Sequence, residues 1–292
     1  MQAFWFYLAY PFLYLISLLP FWMLYGLSDI FYVVLKLSGY RKKVVLTNLR
    51  NSFPEKTEQE ILLICNNYYR YLCDLILEII KTMTMSEAQT NKRCVFHNPQ
   101  WLNDIYTEGK SIIVLMGHYG NWEWAGPAFS LTTKFQLVVI YRPLSNPYFE
   151  KMTVKMRTRH GTKITAVNST LRDMVANRKT ITATAFVADQ TATPKNAYWT
   201  NFLNQDTAVF AGPEKLAKKF DYPVVYMNVK RMKRGYYEVF PELLFINPKE
   251  TADNEILETF TKRLEKEINI DPTIWLWSHR RWKHKRQLTV GS

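Results

Sequence analysis

The pattern of apolar and polar positions changes character twice along the chain. Residues 3–28, "AFWFYLAYPFLYLISLLPFWMLYGLS", carry no charged side chain. A bilayer-spanning helix needs about 20 apolar residues, so this run predicts an N-terminal hydrophobic membrane helix. Pro11 and Pro20 kink or break a straight span, which leaves a helix lying in the interface open beside a spanning one. From Thr57 the pattern becomes periodic. Thr57 and Glu60 stand in capping-box spacing, and apolar residues recur at 61, 65, 68, 72, 75 or 76, and 79, steps of four and three that predict one long amphipathic helix. Beyond it, short β-rich runs at 111–116, 136–141, 181–188 and 223–229 alternate with helical stretches near 122–133, 146–159, 169–177 and 213–220. Such alternation predicts an α/β fold, a largely parallel mixed sheet flanked by helices. A paired run at 236–245 and a helix at 253–267 close the domain. Without repeats, low-complexity segments or flexible linkers, the expectation is an anchor over 1–38 and one folded unit over 39–292.

Composition sharpens the membrane reading. Nine Trp, 18 Tyr and 17 Phe suit a protein that meets lipid, because aromatic rings favour the boundary between oil and water. The formal net charge is +13, and the only charged side chain before Lys36 is Asp29. A basic body faces nucleic acid, anionic lipid head groups or an acidic carrier protein; without zinc-finger spacing, basic-region heptads or an aromatic RNA-binding signature, nucleic acid is set aside. Arg41, Lys42 and Lys43 follow the apolar run, which by the positive-inside rule predicts emergence on the cytoplasmic side. The run lacks both the leading cation and the small-residue cleavage pattern of a signal peptide. Cys65, Cys73 and Cys94 have no metal-ligand spacing, and the first two fall about 12 Å apart along a helix, too far for a bridge; a reducing compartment follows.

The chemistry centres on residues 112–124, "IIVLMGHYGNWEW". In parallel sheets ligands sit beyond the carboxyl ends of strands, and His118 stands where the strand ends. Gly117 and Gly120 permit a tight turn, Asn121 suits a helix N-cap, and Glu123 falls in the first helical turn. A hydroxyl is a poor nucleophile at neutral pH, whereas an imidazole takes its proton as attack develops. Glu123 is expected to fix the tautomer of His118 and stabilise the imidazolium. There is no G-x-S-x-G elbow, no H-E-x-x-H and no Cys/His cluster; "EGKS" at 108–111 lacks the upstream Gly of a phosphate-binding loop. Neither nucleotide nor metal is expected.

"GHYGNWEW" resembles the H-x4-[DE] block of the lipid A late acyltransferase family, relatives of the glycerolipid acyltransferases. Further blocks resemble that family in order across most of the chain: "RKKVVLTNLRNSFPEKTEQE", "VVIYRPLSNP", "RTRHG", "VADQ", "NFLNQDTAVFAGPEKLAKK" and "PTIWLWSHRRWK". The resemblance implies a membrane-bound O-acyltransferase with a glycerolipid acyltransferase-like fold. It would move a fatty acyl chain from acyl carrier protein to a hydroxyl of a lipid A precursor at the bacterial inner membrane, with the acyl thioester as co-substrate and no cofactor. It makes His118 the general base and Glu123 its partner, with direct transfer and no acyl-enzyme. Arg142 matches an acceptor-binding position, and a guanidinium's forked donors suit phosphate. Arg157 and Arg159 are expected at the phosphates of a disaccharide acceptor, with Asp189 and Gln190 at a second strand end opening onto the same crevice. Trp275, Trp277 and Trp282, interleaved with Arg280, Arg281, Lys283, Lys285 and Arg286, are expected at the lipid head-group boundary. Rival readings are a lysophospholipid or aminolipid acyltransferase with the same dyad, and an inactive membrane tether or lipid-binding scaffold.

Overall fold

The structure, a computed structural model, describes residues 1–194 and 197–286. The apolar N-terminal run forms two helices, α1 (Gln2–Leu18) and α2 (Phe21–Ser38). Pro11 is accommodated inside α1, whereas Leu19 and Pro20 adopt extended backbone and end it, because proline disfavours helical geometry in the residue before it. Among the described residues α2 is the one helix long and apolar enough to cross a membrane.

After α3 (Lys42–Ser52) comes the long helix α4 (Glu58–Lys81), opened by the expected capping box. Thr57 Oγ1 accepts from the Glu60 amide, and Glu60 Oε2 accepts from the Thr57 amide at 2.8 Å. Its periodic positions Ile61, Cys65, Tyr68, Leu72 and Leu75 are buried, but so are Asp74, Glu78 and Lys81. Burying three ionisable side chains on one helix demands partners, and α2 supplies several of them.

The chain continues through α5 (Glu87–Arg93), β1 (Cys94–Phe96), α6 (Gln100–Thr107), β2 (Ile112–Met116), α7 (Trp122–Thr132), β3 (Gln136–Tyr141), α8 (Pro147–Thr158), β4 (Lys163–Ala166), α9 (Thr170–Ala176) and β5 (Thr182–Val187). A hairpin of β6 (Ala197–Phe202) and β7 (Gln205–Phe210) precedes α10 (Gly212–Phe220), β8 (Val224–Lys233), β9 (Tyr236–Phe245) and α11 (Glu255–Ile270). Seven strands form one sheet in the order β1-β9-β8-β2-β5-β3-β4. Every pairing in it is parallel except β8 with β9, as the alternation of strands and helices predicts.

β2 lies in the middle, between β8 and β5. Ile113 and Leu115 pack on the face covered by α4 and α11, while Ile112, Val114 and Met116 pack toward α7. Both faces are dry, which is why the strand reads as an unbroken apolar run rather than an alternation.

The C-terminal segment departs from expectation. Trp275 and Trp277 are 2% and 0% exposed, and neither meets lipid. The three indole N–H groups donate inward: Trp277 to the carbonyl of Pro272, Trp275 to Asp189 and Trp282 to Thr207 Oγ1. Rings whose polar handle is satisfied internally belong in a core. Arg281 is buried with them and donates to the carbonyl of Ala208 at 2.8 Å. Residues 287–292, part of the unit expected over 39–292, lie outside the described residues.

Candidate active site

The turn after β2 carries His118, and two glycines make it possible. A Cβ on Gly117 would meet Leu264 Cδ1 at 2.7 Å; one on Gly120, whose φ is +59°, would meet the carbonyl oxygen of Val229 at 2.7 Å. Only glycine fits these positions without displacing their neighbours. The turn is held on two sides. Tyr71 of α4 donates to the Gly120 carbonyl at 2.6 Å, while the Gly120 amide donates to Ile274 and the Leu276 amide donates to the His118 carbonyl. Asn121 then caps α7 by accepting from the Trp124 amide at 3.0 Å, and its own amide group donates to the buried Glu78 at 2.8 Å.

Asp189, just past the end of β5, is the carboxylate bonded to His118. Its Oδ1 lies 2.5 Å from His118 Nδ1, and its Oδ2 accepts from the His118 amide at 2.8 Å and from the Trp275 indole at 2.7 Å. Burial pushes this carboxyl up. The charge of the His118 ring when it is protonated, with hydrogen bonds from the His118 side chain, the His118 amide and Trp275, outweighs burial and holds it at about 2. Gln190 places its amide Nε2 3.1 Å from His118 Nε2. Because the carboxylate can only accept and the amide can donate, the neutral ring carries its proton on Nδ1 and turns its Nε2 lone pair to Gln190. Trp122 borders the ring edge-on, with centroids 4.9 Å apart.

Glu123, expected to orient His118, is instead held by Arg157 of α8. Nε donates to Oε2 at 3.0 Å and Nη2 to Oε1 at 2.5 Å, the two-pronged geometry that makes guanidinium–carboxylate pairs strong. The partner of the ring is thus Asp189 rather than Glu123. Position explains the difference: Asp189 meets the histidine backbone and ring together, whereas Glu123 in the first turn of α7 faces α8. Arg159 likewise departs from its expected contact with acceptor phosphates. Its Nη1 donates to the carbonyls of Thr82 and Met83 at 3.4 and 2.7 Å, covering the orphan carbonyls after α4.

His118, Glu123, Arg142, Arg157 and Gln190 all line one cavity of about 610 Å³. Its deeper wall is apolar, built from residues such as Phe96, Val114, Phe129, Leu137 and Met227, and Leu13 of α1 also borders it. Arg142 is exposed at its rim. The arrangement offers one base, a greasy chamber and cationic groups beside it. The roles of Asp189 as ring partner and Trp275 as its clamp had no local signal in the chain, since they stand 71 and 86 residues from their partners.

A family model described as "Bacterial lipid A biosynthesis acyltransferase" matches residues 1–284. The chain is similar to a lipid A biosynthesis acyltransferase of Haemophilus influenzae, 23% identical over 221 residues that cover 73% of this chain and 69% of that protein. It is also similar to a lipid A biosynthesis palmitoleoyltransferase of Escherichia coli, 22% identical over 247 residues, with 83% of this chain and 79% of that protein covered. A lipid A biosynthesis acyltransferase of Shigella flexneri is 22% identical over 247 residues, with 83% of this chain and 79% of that protein covered.

Proposed function

The chain belongs to the bacterial lipid A biosynthesis acyltransferase family, and from that premise we propose that it transfers a fatty acyl chain from an acyl-carrier-protein thioester to a hydroxyl of a lipid A precursor. His118 is the general base. Its Nε2 takes the proton of the acceptor hydroxyl where the amide of Gln190 now sits, as the oxygen attacks the thioester carbonyl. The tetrahedral intermediate collapses with cleavage of the C–S bond, and the imidazolium returns the proton to the departing thiolate. An ester and a free carrier thiol result, with no acyl-enzyme.

Asp189 orients the ring and stabilises the imidazolium without taking the proton, as a buried carboxylate does behind a catalytic histidine. The amides of Trp122 and Glu123, which open α7 ahead of the capped Trp124 amide, receive the developing oxyanion. Arg142 and Arg157 bind phosphate on the acceptor, and Glu123 fixes the direction of the Arg157 fork. The apolar depth of the cavity receives the acyl chain. We place the enzyme at the bacterial inner membrane with its catalytic body on the cytoplasmic side. Supporting this are the cations Arg41, Lys42 and Lys43 after the apolar run and three cysteines that are all free.

The observation that carries the reading is the imidazole clamped by Asp189 on one nitrogen, with the other turned to the exchangeable side chain of Gln190 at a mostly apolar chamber beside arginines. The test uses purified full-length protein in detergent, acyl carrier thioester and a lipid A precursor, with thiol release and the mass of the lipid product as readouts. Expected are stoichiometric thiol and an acceptor heavier by one acyl group, both abolished in His118→Ala. Acylation of a lysophospholipid in place of the lipid A precursor would refute the acceptor, and an inert wild type would refute the reaction.

A further inference from the structure

α2 has the length and composition to cross a bilayer, and much of its surface is bare: Trp22, Ile30, Val33, Val34 and Leu37 are all exposed. Its other side is fastened along α4. Tyr25 donates to Glu78 at 2.8 Å, Ser28 donates to Asp74 at 2.7 Å, the Arg70 guanidinium lies 5.1 Å over the Tyr32 ring, and Tyr69 donates to the Tyr40 carbonyl at 2.6 Å. Near its middle, Asp29 accepts two hydrogen bonds from Arg234, which lies in the β8–β9 turn and also binds Asp74. Arg231 adds a further contact to Asp74 at 3.1 Å. α4 is no separable appendage, since its Tyr71 holds the catalytic turn at Gly120.

α1 is tied down as well. The Lys81 ammonium donates to the carbonyls of Ser17 and Leu19, each at 2.8 Å, and Thr84 donates to the same Ser17 carbonyl. The 17 residues of α1 extend about 26 Å, short of a hydrocarbon core about 30 Å thick. If α2 crossed the membrane in this arrangement, Arg70, Asp74, Arg231 and Arg234 would enter the hydrocarbon with it, and so would a hairpin turn of the catalytic sheet. Exposed backbone and charge of that kind are not stable there.

We infer that neither N-terminal helix spans the bilayer: both lie in the plane of one leaflet, and the N-terminus and catalytic body share one side of the membrane. This rests on the membrane placement proposed above and resolves its geometry. The occupant of the bare face is lipid with anionic head groups. Trp5, Phe12 and Trp22, all exposed, enter the boundary between head groups and chains, and Arg41, Lys42 and Lys43 at the start of α3 meet the phosphates. The placement has a consequence for substrate access. Leu13 of α1 borders the catalytic cavity, so the leaflet adjoins the chamber and the acceptor reaches His118 without leaving the lipid.

The test exploits the fact that Cys65, Cys73 and Cys94 are all buried. Three full-length variants, Gln2→Cys, Leu18→Cys and Lys249→Cys, are produced in bacterial cells and treated with a membrane-impermeant maleimide, in spheroplasts and in inverted inner-membrane vesicles. In-plane helices leave all three unlabelled in spheroplasts and label Gln2→Cys and Lys249→Cys in inverted vesicles. A single span labels Gln2→Cys and Leu18→Cys in spheroplasts, and a two-span hairpin labels Leu18→Cys there; either result overturns the inference and leaves the acyltransferase reading intact. Recovery of the protein in the soluble fraction overturns the inference together with the membrane placement, while thiol release independently reports the reaction.

Discussion

Two carboxylates stand at the candidate site, one bonded to His118 and one lining the cavity, and they live in different surroundings. Asp189 is almost fully buried, bonded to an imidazole, a backbone amide and an indole. Glu123 keeps 15% of its side chain exposed and meets a guanidinium that is itself 30% exposed. The first set of partners fixes a ring from two sides; the second holds a cation at the wall of the cavity. The contrast teaches that a carboxylate takes its part in a site from what it touches, and that distance along the chain is a poor guide to this.

The strongest way to sharpen the comparison is to remove the ring that Asp189 holds and Glu123 does not touch. His118→Ala is expected to lower kcat by about 10³-fold or more while leaving the thermal unfolding profile near that of wild type. Asp189→Asn comes next, with a loss of about 10²–10⁴-fold in kcat. The new amide turns a donor toward one of three groups that now donate, so the ring loses its orientation.

Glu123→Gln is expected to act mainly on KM for a phosphorylated acceptor, by about 10-fold, with kcat within a few-fold of wild type. A double-mutant cycle with Arg157→Gln should give a coupling of about 1–2 kcal/mol. Should Glu123→Gln reduce kcat as deeply as Asp189→Asn, the two carboxylates would exchange roles and the simple H-x4-E dyad would be restored.

The smallest effect is a pH dependence of stability on the Asp189 side. His279 is driven down to about 4 by burial, with the nearby Asp189 charge opposing and the positive His118, Arg281 and Lys283 assisting. The unfolded chain protonates this ring at about 6.5, so the unfolded state binds more protons between the two values. The stabilisation is complete above pH ~6.5 and declines as pH falls toward 4, by about 1–2 kcal/mol after allowance for water access. Urea unfolding across that range should lose part of its slope in His279→Gln and keep it in Glu123→Gln.

Much of the framework is legible in the amino-acid sequence. The 4-and-3 spacing of α4 and its Thr57–Glu60 box require only local geometry, as do the alternating strands and helices that end β2 just before His118. Other elements left no such trace. β1 and β4 span three and four residues, too short for periodicity to register. The β6–β7 hairpin turns through Leu203 and Asn204, both at positive φ, where the Asn-Gly or Asp-Gly pair that normally marks such a turn is missing.

The site divides along the same line. His118, its glycines and the cap at Asn121 were readable because strand end, turn and helix start are contiguous. Its partner was not, because Asp189 reaches the ring only after β5 pairs beside β2, and Trp275 only after the C-terminal segment folds onto both. An aromatic residue suits a core and a lipid boundary equally well by composition; burial alone placed Trp275 and Trp277 inside. Periodicity and turn chemistry act over a few residues and are therefore written in the chain, whereas the pairing of charges across 71 residues depends on how strands stack, and only the tertiary structure decides it.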